Sequence, residues 1–141
     1  MIPDNNVTLA NGIKTVTHPT HTYKLNFKNN RISRYADGLE AMEQFVYKAL
    51  RTERYQHEIY DWNYGVELDN LFGKPTVYVK AELARRISEA LLADDRVTSV
   101  DSFSFPEPAG GTGANKRTTI CVNFTVHTIF GDVNAAKEVA V

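Results

Sequence analysis

The sequence predicts a single α+β domain, made of an N-terminal β-hairpin, two long helices packed on a sheet, and a C-terminal antiparallel three-stranded meander. The main observation is the period of the apolar residues. It is two over residues 23–35, helical over 39–50 and 79–91, and two again from residue 97 onward. The length of 141 residues suits one domain. The composition, 43% hydrophobic and 23% charged, is ordinary for a globular protein.

Charge and cysteine content exclude several classes of function. Sixteen Lys and Arg residues against seventeen Asp and Glu leave a net charge of −1, which gives no general attraction for nucleic acid or an anionic membrane. No apolar run is long enough to cross a bilayer, and the first residues lack the pattern of a secretory signal. The single Cys121 cannot form an intramolecular disulfide, which fits a reducing compartment or a redox-indifferent one. We therefore expect no nucleic-acid partner and no membrane partner.

Residues 1–22 are predicted to form an extended N-terminal arm, and residues 23–141 the folded domain. The arm is rich in Asn, Thr and Pro, and its apolar residues follow no period. We expect it to become ordered only against a neighbouring subunit, since it cannot bury enough apolar surface alone.

The domain is predicted to begin with a hairpin. Tyr23, Leu25 and Phe27 alternate with polar residues, which predicts a strand with one apolar face. Residues 29–30 are both Asn and favour a tight turn, and the returning strand covers residues 32–35.

Two helices follow the hairpin. Asp37 and Glu40 have the spacing of a capping box, and the apolar stripe behind them predicts a helix that ends near Thr52. A short helical piece is expected around residues 67–72, and Pro75 suits the first turn of the second long helix. That helix has an apolar residue at every fourth position: Val79, Leu83, Ile87 and Leu91.

Three strands are predicted after the helices. Residues 97–105 form a strand whose broken alternation indicates a bulge, and residues 106–116 form a glycine-rich loop. Residues 118–130 alternate cleanly, and residues 131–132 form a turn. The last strand, residues 133–141, has no successor. It either closes the sheet of its own domain or leaves a free edge to which another chain can add a strand.

Carboxylates and aromatic residues are mixed in the irregular segment 53–69. Two suitably spaced carboxylates suffice to cleave a glycosidic bond, so this segment raises the hypothesis of a hydrolase. A polar interface or a hydrated turn has the same composition, and both readings stay open at this point. The carboxylates are Glu53, Glu58, Asp61, Glu67 and Asp69.

Other chemical motifs are weaker. His18 and His21 have a spacing found in zinc sites, but no cysteine pair or second histidine pair accompanies them. The glycines of 110–113 lead into a strand, whereas a phosphate-binding loop opens a helix. We expect no catalytic residue, no metal and no cofactor.

Three stretches together resemble the sheath-initiator family of contractile phage tails, also called GPW-type or baseplate lysozyme-like proteins. Within it they are most similar to the XkdS-like branch of PBSX-type prophages. The stretches are 37–42 (DGLEAM), 52–55 (TERY) running to 62–68 (WNYGVEL), and 124–131 (FTVHTIFG). The resemblance covers about residues 19–141.

The resemblance implies a structural baseplate subunit of a phage tail or tailocin, with six copies in the particle and assembly in the host cytoplasm. Its implied partners are the sheath subunit, the baseplate wedge proteins, and central hub or tube-proximal proteins. The family's Glu-Pro-Arg motif corresponds here to Asp94, Asp95 and Arg96. With Arg54, Tyr64 and Gly65, these residues are the implied contact with the wedge and core bundle.

The resemblance also assigns a role to the last strand, which is addition of the first sheath ring. The residues predicted for it are Val133, Ala135, Lys137, Val139 and Val141. The alternative function is a peptidoglycan-cleaving, lysozyme-like hydrolase that uses the carboxylates of segment 53–69. We expect a non-enzymatic protein.

Overall fold

The computed structural model describes residues 20–106 and 119–141. Its elements are β1 (Thr22–Asn26), β2 (Arg31–Ala36), α1 (Gly38–Arg51), a 3₁₀ turn (Asp69–Leu71), α2 (Thr76–Leu92), β3 (Val97–Ser104), β4 (Thr119–Thr128) and β5 (Gly131–Ala140). β1 and β2 form one antiparallel sheet; β3, β4 and β5 form another, with β4 in the centre. The predicted α+β class and the order of its elements are confirmed.

Two predicted segments lie largely outside the described residues. Of the arm predicted over residues 1–22, only the last three residues are described. Thr20 is buried, and its hydroxyl hydrogen-bonds to the carboxylate of Asp37. Thr22 begins β1. The loop predicted over 106–116 is outside the description except for Pro106.

α1 begins at the cap that the sequence predicts. The carboxylate of Asp37 accepts a hydrogen bond from the N–H of Gly38 at 2.8 Å. Hydrogen bonds from Thr20 and then Gly38 lower the pKa of Asp37. The predicted capping box does not form, because Asp37 accepts from the N–H of Gly38 rather than from that of Glu40, and Glu40 forms an ion pair with Lys24 of β1. The helix ends at Arg51 with Thr52 as its C-cap, which agrees with the predicted end near Thr52.

One side chain of α1 ties the hairpin to the rest of the domain. The Gln44 amide accepts from the N–H of Leu25 at 2.8 Å and donates to the carbonyl of Tyr23 at 2.7 Å. The Gln44 side chain therefore makes the two backbone hydrogen bonds that a neighbouring strand would otherwise make with β1. Tyr23 and Phe27 are 63% and 55% exposed, so the predicted apolar face of this strand does not join the core.

The main core lies between the two helices and one face of the β3–β4–β5 sheet. α1 packs chiefly on β5, and α2 packs chiefly on β3. β4 alternates as predicted, with its apolar residues buried beneath the helices. The largest fully buried side chains are Met42, Leu71, Leu83, Ile87, Leu91, Val46, Val66, Val79, Val122 and Val126.

The C-terminal strands agree with the prediction in one detail and differ from it in another. β3 has two register shifts along β4, and Ser102, within the second of them, has a φ of 57°, which confirms the expected irregularity. The turn into β5 consists of Ile129 and Phe130, so β5 begins at Gly131 rather than at residue 133. The last strand is therefore longer than the sequence predicts.

Candidate functional site

β5 lies at the edge of its sheet. Its residues pair with β4 without a break, from Gly131 opposite Thr128 to Ala140 opposite Thr119. Within residues 20–106 and 119–141, no strand pairs with its other edge. The two residues that flank a two-residue hairpin turn hydrogen-bond to each other. From there along the strand, the N–H and C=O groups of successive residues point alternately toward the partner strand and away from it. The outward N–H and C=O groups therefore belong to Asp132, Asn134, Ala136, Glu138 and Ala140.

A groove runs along this free edge, and we call it the α1–β5 groove. Its first half has a volume of about 820 Å³ and lies between residues 133–138 of β5 and the face of α1 that carries Tyr47 and Arg51. The second half, of about 570 Å³, follows residues 137–140. Its far wall comes from the segment between the helices, including Leu68 and Phe72. The groove thus runs along residues 133–140 of the free edge, which is nearly the whole of β5.

Four of the five residues predicted for strand addition form the floor of the groove. Val133 and Val139 are buried, whereas Ala135 and Lys137 are half-buried. Because side chains alternate along a strand, these four point toward α1, and the groups that can pair with a new strand belong to their neighbours. The fifth, Val141, follows the end of β5, lines neither half of the groove and packs against the core. The sequence thus identified the strand and its inner face, while its free edge is formed by the alternate residues.

The α1 wall contains residues that sequence reasoning did not single out. The Phe27 ring lies 4.4 Å from that of Tyr47, and the Arg51 guanidinium lies 4.5 Å above the centre of the Tyr47 ring. This stacking holds the cation over the groove. The signal was present in the sequence, since Tyr47 and Arg51 are four residues apart and follow the buried stripe of the helix.

Lys137 is a charged residue on an otherwise apolar floor. Burial lowers the pKa of Lys137, and the positive charge of Arg51 lowers it further. Glu53 acts in the opposite direction but does not outweigh them. Burial and the neighbouring Arg51 therefore disfavour the charged form of Lys137, although the groove lining also contains carboxylates, namely Glu43, Glu53, Asp69 and Glu138.

Three residues predicted for the wedge contact converge beside Phe45 of α1. Arg96 donates two hydrogen bonds to the carboxylate of Asp94, from Nε at 2.8 Å and from a terminal nitrogen at 2.6 Å. The same guanidinium lies 5.6 Å from the centre of the Phe45 ring, and Tyr64 packs edge-on against that ring at 6.3 Å. Asp95 is exposed next to them. We call Tyr64, Asp94 and Arg96 the Arg96 cluster.

The electrostatics of the Arg96 cluster keep its ion pair charged. Burial would raise the pKa of Asp94, but hydrogen bonds from the side chain and backbone of Arg96 bring it below its ordinary value. The hydrogen bond to Asp94 in turn raises the pKa of Arg96. Burial raises the pKa of Tyr64 to about 12, so its hydroxyl remains protonated near neutral pH.

Arg54 and Gly65, predicted for the same contact, hold the shape of the segment between the helices. The Arg54 side chain is only 10% exposed and forms ion pairs with Glu67 at 3.5 Å and Glu89 of α2 at 3.3 Å. Its Nε donates to the carbonyl of Gly65 at 3.3 Å, and its backbone N–H donates to that of Val66 at 3.2 Å. Arg54 therefore fastens the segment to α2.

Three of the five carboxylates of segment 53–69 are held by other groups of the domain. Glu53 accepts backbone hydrogen bonds from Leu68 at 2.8 Å and from Asp69 at 3.2 Å. The Asp69 carboxylate accepts one from Gln56 at 3.0 Å, and Glu67 pairs with Arg54. Glycoside cleavage requires two carboxyl groups that face each other across the bond. The contacts of these side chains instead shape the backbone of the segment.

The part of the chain that the structure describes contains neither a cluster of metal ligands nor a helix that could span a membrane. No group of three metal-binding side chains occurs there. None of the helices described is long and apolar enough to cross a membrane. Of the predicted histidine pair, His18 lies outside the described residues.

Comparison with known proteins agrees with the resemblance seen in the sequence. The family model of the contractile injection system sheath initiator matches residues 18–131. A similar protein is the phage-like element PBSX protein XkdS of Bacillus subtilis (strain 168), which is 45% identical over 92 residues. This match covers 62% of the chain and 65% of the relative, so just under two thirds of the relative's length is spanned. The family identified from the sequence is confirmed.

Proposed function

The chain belongs to the contractile injection system sheath initiator family, and we propose that it joins the baseplate wedge and inner core to the first sheath ring. The family consists of structural components of contractile tails. In this proposal the chain acts without catalysis, as a sheath initiator in the particle of a phage or tailocin. Six copies assemble in the host cytoplasm around a sixfold baseplate.

The observation that carries the proposal is the unpaired edge of β5 beside the α1–β5 groove. A strand from the sheath subunit would pair with the outward backbone groups of β5 and place alternate side chains in the groove. Main-chain hydrogen bonds then provide affinity, and the groove provides register. Six such contacts around one ring act together, so each can be weak by itself.

The Arg96 cluster is our proposed contact with the wedge and core bundle, together with the neighbouring Asp95. An exposed aromatic residue adjoins it, since Tyr60 is 37% exposed and stacks on Tyr64 with 4.6 Å between ring centres. Trp62, in the same segment, is 69% exposed. Such residues are enriched where proteins bind one another. Arg54 and Gly65 contribute by holding the loop that presents these rings. Hub or tube-proximal proteins are further proposed partners, and the part of the predicted arm that precedes Thr20 would fold against one of these neighbours.

The experiment that tests strand addition uses the outward N–H of Ala136. Ala136→Pro removes that donor and places the proline ring on the exposed side of an edge strand, where proline is tolerated. The matched control, Ala136→Thr, changes the side chain at the same position but keeps the N–H. Each variant is mixed with the cognate sheath subunit and wedge proteins, and the products are examined by electron microscopy.

We expect native protein and Ala136→Thr to nucleate sheath rings or tubes, and Ala136→Pro to bind the wedge without nucleating sheath. Circular dichroism establishes that both variants are folded. Full-length sheaths on Ala136→Pro would contradict strand addition to β5. In a parallel assay, cell-wall clearing that is lost in Glu53→Gln, Glu58→Gln or Glu67→Gln would instead support the hydrolase.

A further inference from the structure

We propose that the α1–β5 groove selects a partner strand that carries a carboxylate facing Arg51 and Lys137, with apolar side chains two residues before and two residues after it. This inference rests on the proposed addition of a strand to β5 and specifies the chemistry of that strand. The partner is a protein segment in extended conformation that contains glutamate or aspartate at the centre of a short alternating apolar pattern.

The first observation is the position of the two cations. Arg51 and Lys137 each line both halves of the groove, so they lie where the two halves meet. One cation comes from the wall and the other from the floor. In an added strand, the residue directly opposite Lys137 would have its Cβ about 5 Å from that of Lys137. Its side chain would therefore reach both cations.

The second observation is that these cations lack a carboxylate partner within the described residues. Neither Arg51 nor Lys137 forms an ion pair there, although several other arginines and lysines do. Four carboxylates also line the groove, namely Glu43, Glu53, Asp69 and Glu138, but none forms an ion pair with Arg51 or Lys137. The Glu53 oxygens accept backbone hydrogen bonds from Leu68 and Asp69, and the Asp69 carboxylate accepts one from Gln56. Burial, and after it the charge of Arg51, lowers the pKa of Lys137, which agrees with two neighbouring cations of which one is partly removed from water.

The third observation is the apolar character on each side of the cations. An incoming residue opposite Ala135 would face the small Ala135 side chain, Val46 and Tyr47, which leaves room for a large apolar group. An incoming residue opposite Val139 would face Leu68 and Phe72. Because alternate residues of a strand share one face, these two positions and the central carboxylate are spaced by two.

These features also explain why the groove would reject other strands. A neutral strand would remove water from two cations and give no charge in return, which is unfavourable. A second β5 strand would add another lysine to the groove that already holds Arg51 and Lys137. An inward-pointing lysine is a known protection of sheet edges against unwanted pairing. A carboxylate would instead form charge-assisted hydrogen bonds with the same two cations.

The test uses three blocked heptapeptides with valine at the second and sixth positions, threonine elsewhere, and glutamate, glutamine or lysine at the fourth. Each is titrated into the ¹⁵N-labelled full chain, and the shifts of the β5 amide signals give Kd. We expect the glutamate peptide to bind about tenfold more tightly than the glutamine peptide, and the lysine peptide more weakly than both. Lys137→Met should reduce the first difference to about twofold or less, whereas Lys28→Met, outside the groove, should preserve it.

Each contrary outcome has a distinct meaning. Equal binding of the glutamate and glutamine peptides, with shifts at β5, overturns the selection of an acidic strand but leaves strand addition intact. An absence of β5 shifts with all three peptides counts against strand addition itself. Concentration-dependent β5 shifts without peptide would identify a second copy of the chain as the occupant and would overturn the inference.

Discussion

The Cα of Gly65 lies so close to the carbonyl oxygen of Thr52 that a Cβ on Gly65 would come within 2.6 Å of that oxygen. The φ of Gly65 is +95°, a conformation that favours glycine. The same carbonyl accepts the N–H of Val66 at 3.0 Å, so it cannot move away without loss of a hydrogen bond. The contact fixes where the segment between the helices leaves α1.

Gly65→Ala should therefore destabilise the protein by about 3–4 kcal/mol, from backbone strain together with the steric clash. Gly73→Ala is the matched control. Gly73 also has a positive φ, +76°, but a Cβ there would have no heavy atom within 4 Å. It should cost only about 1 kcal/mol. Urea unfolding of the two variants measures the difference, and equal losses would show that strain alone decides the cost.

The side chain of His127 lies between two carboxylates on the sheet face opposite the helices. Its Nδ1 is 2.7 Å from Asp132, and its Nε2 is 3.0 Å from Asp101. Hydrogen bonds to Asp132 and then to Asp101 raise the pKa of His127 above 6.5. Hydrogen bonds from Ser102 and then His127 lower the pKa of Asp101 below 3.8.

The sign of the pH dependence follows from these shifts. A raised histidine pKa contributes stability that is fully present below 6.5 and is lost as the pH rises through the folded-state value. A lowered aspartate pKa contributes stability that is present above 3.8 and is lost as the pH falls. In thermal unfolding, the Tm of the native protein should exceed that of His127→Gln by the largest margin between pH 3.8 and pH 6.5. Parallel Tm curves across pH 6.5 would contradict the proposed contribution of His127.

The ion pair of Asp94 and Arg96 offers a way to separate folding from partner binding. Both side chains are mostly buried, 16% and 21% exposed. A double-mutant cycle with Asp94→Asn and Arg96→Met should give a coupling free energy of about 1–2 kcal/mol, because each single change leaves the other group without its partner. Urea unfolding of the four proteins measures it.

The same four proteins test the proposed wedge contact. The double variant should regain part of the stability that the single variants lose, yet bind the wedge proteins more weakly than native protein does. Fluorescence anisotropy with labelled chain gives the affinities. A double variant that binds like native protein would assign Arg96 to folding alone.

Local patterns in the sequence predicted the elements but not the surfaces that they form. The apolar stripe of α1 depends on residues three and four positions apart, and the Asp37 cap is a contact with the adjacent Gly38, so both were predictable. The exposure of Tyr23 and Phe27, in contrast, could not be predicted. Alternation shows that a strand has an apolar face, but only the packing of other elements decides whether that face is covered.

The candidate site shows the same division. The C-terminal strand and its inner residues could be named from alternation, and the family from three short stretches. The pairing of Arg54 with Glu89, 35 residues away, could not be inferred because it depends on how the loop folds onto α2. Arg96 could be singled out from the sequence. Its hydrogen bonds to Asp94 and its position beside the Phe45 ring depend on the fold.

By itself, the sequence determined the α+β class, the order of helices and strands, and the family, because each depends on the spacing of nearby residues or on short motifs. The tertiary structure decided which edge of the sheet stays open and which side chains stand beside it. Arg51 and Lys137 share one groove although 86 positions of the chain separate them. Such convergence depends on how α1 packs across β5, which is a property of the whole core rather than of either segment.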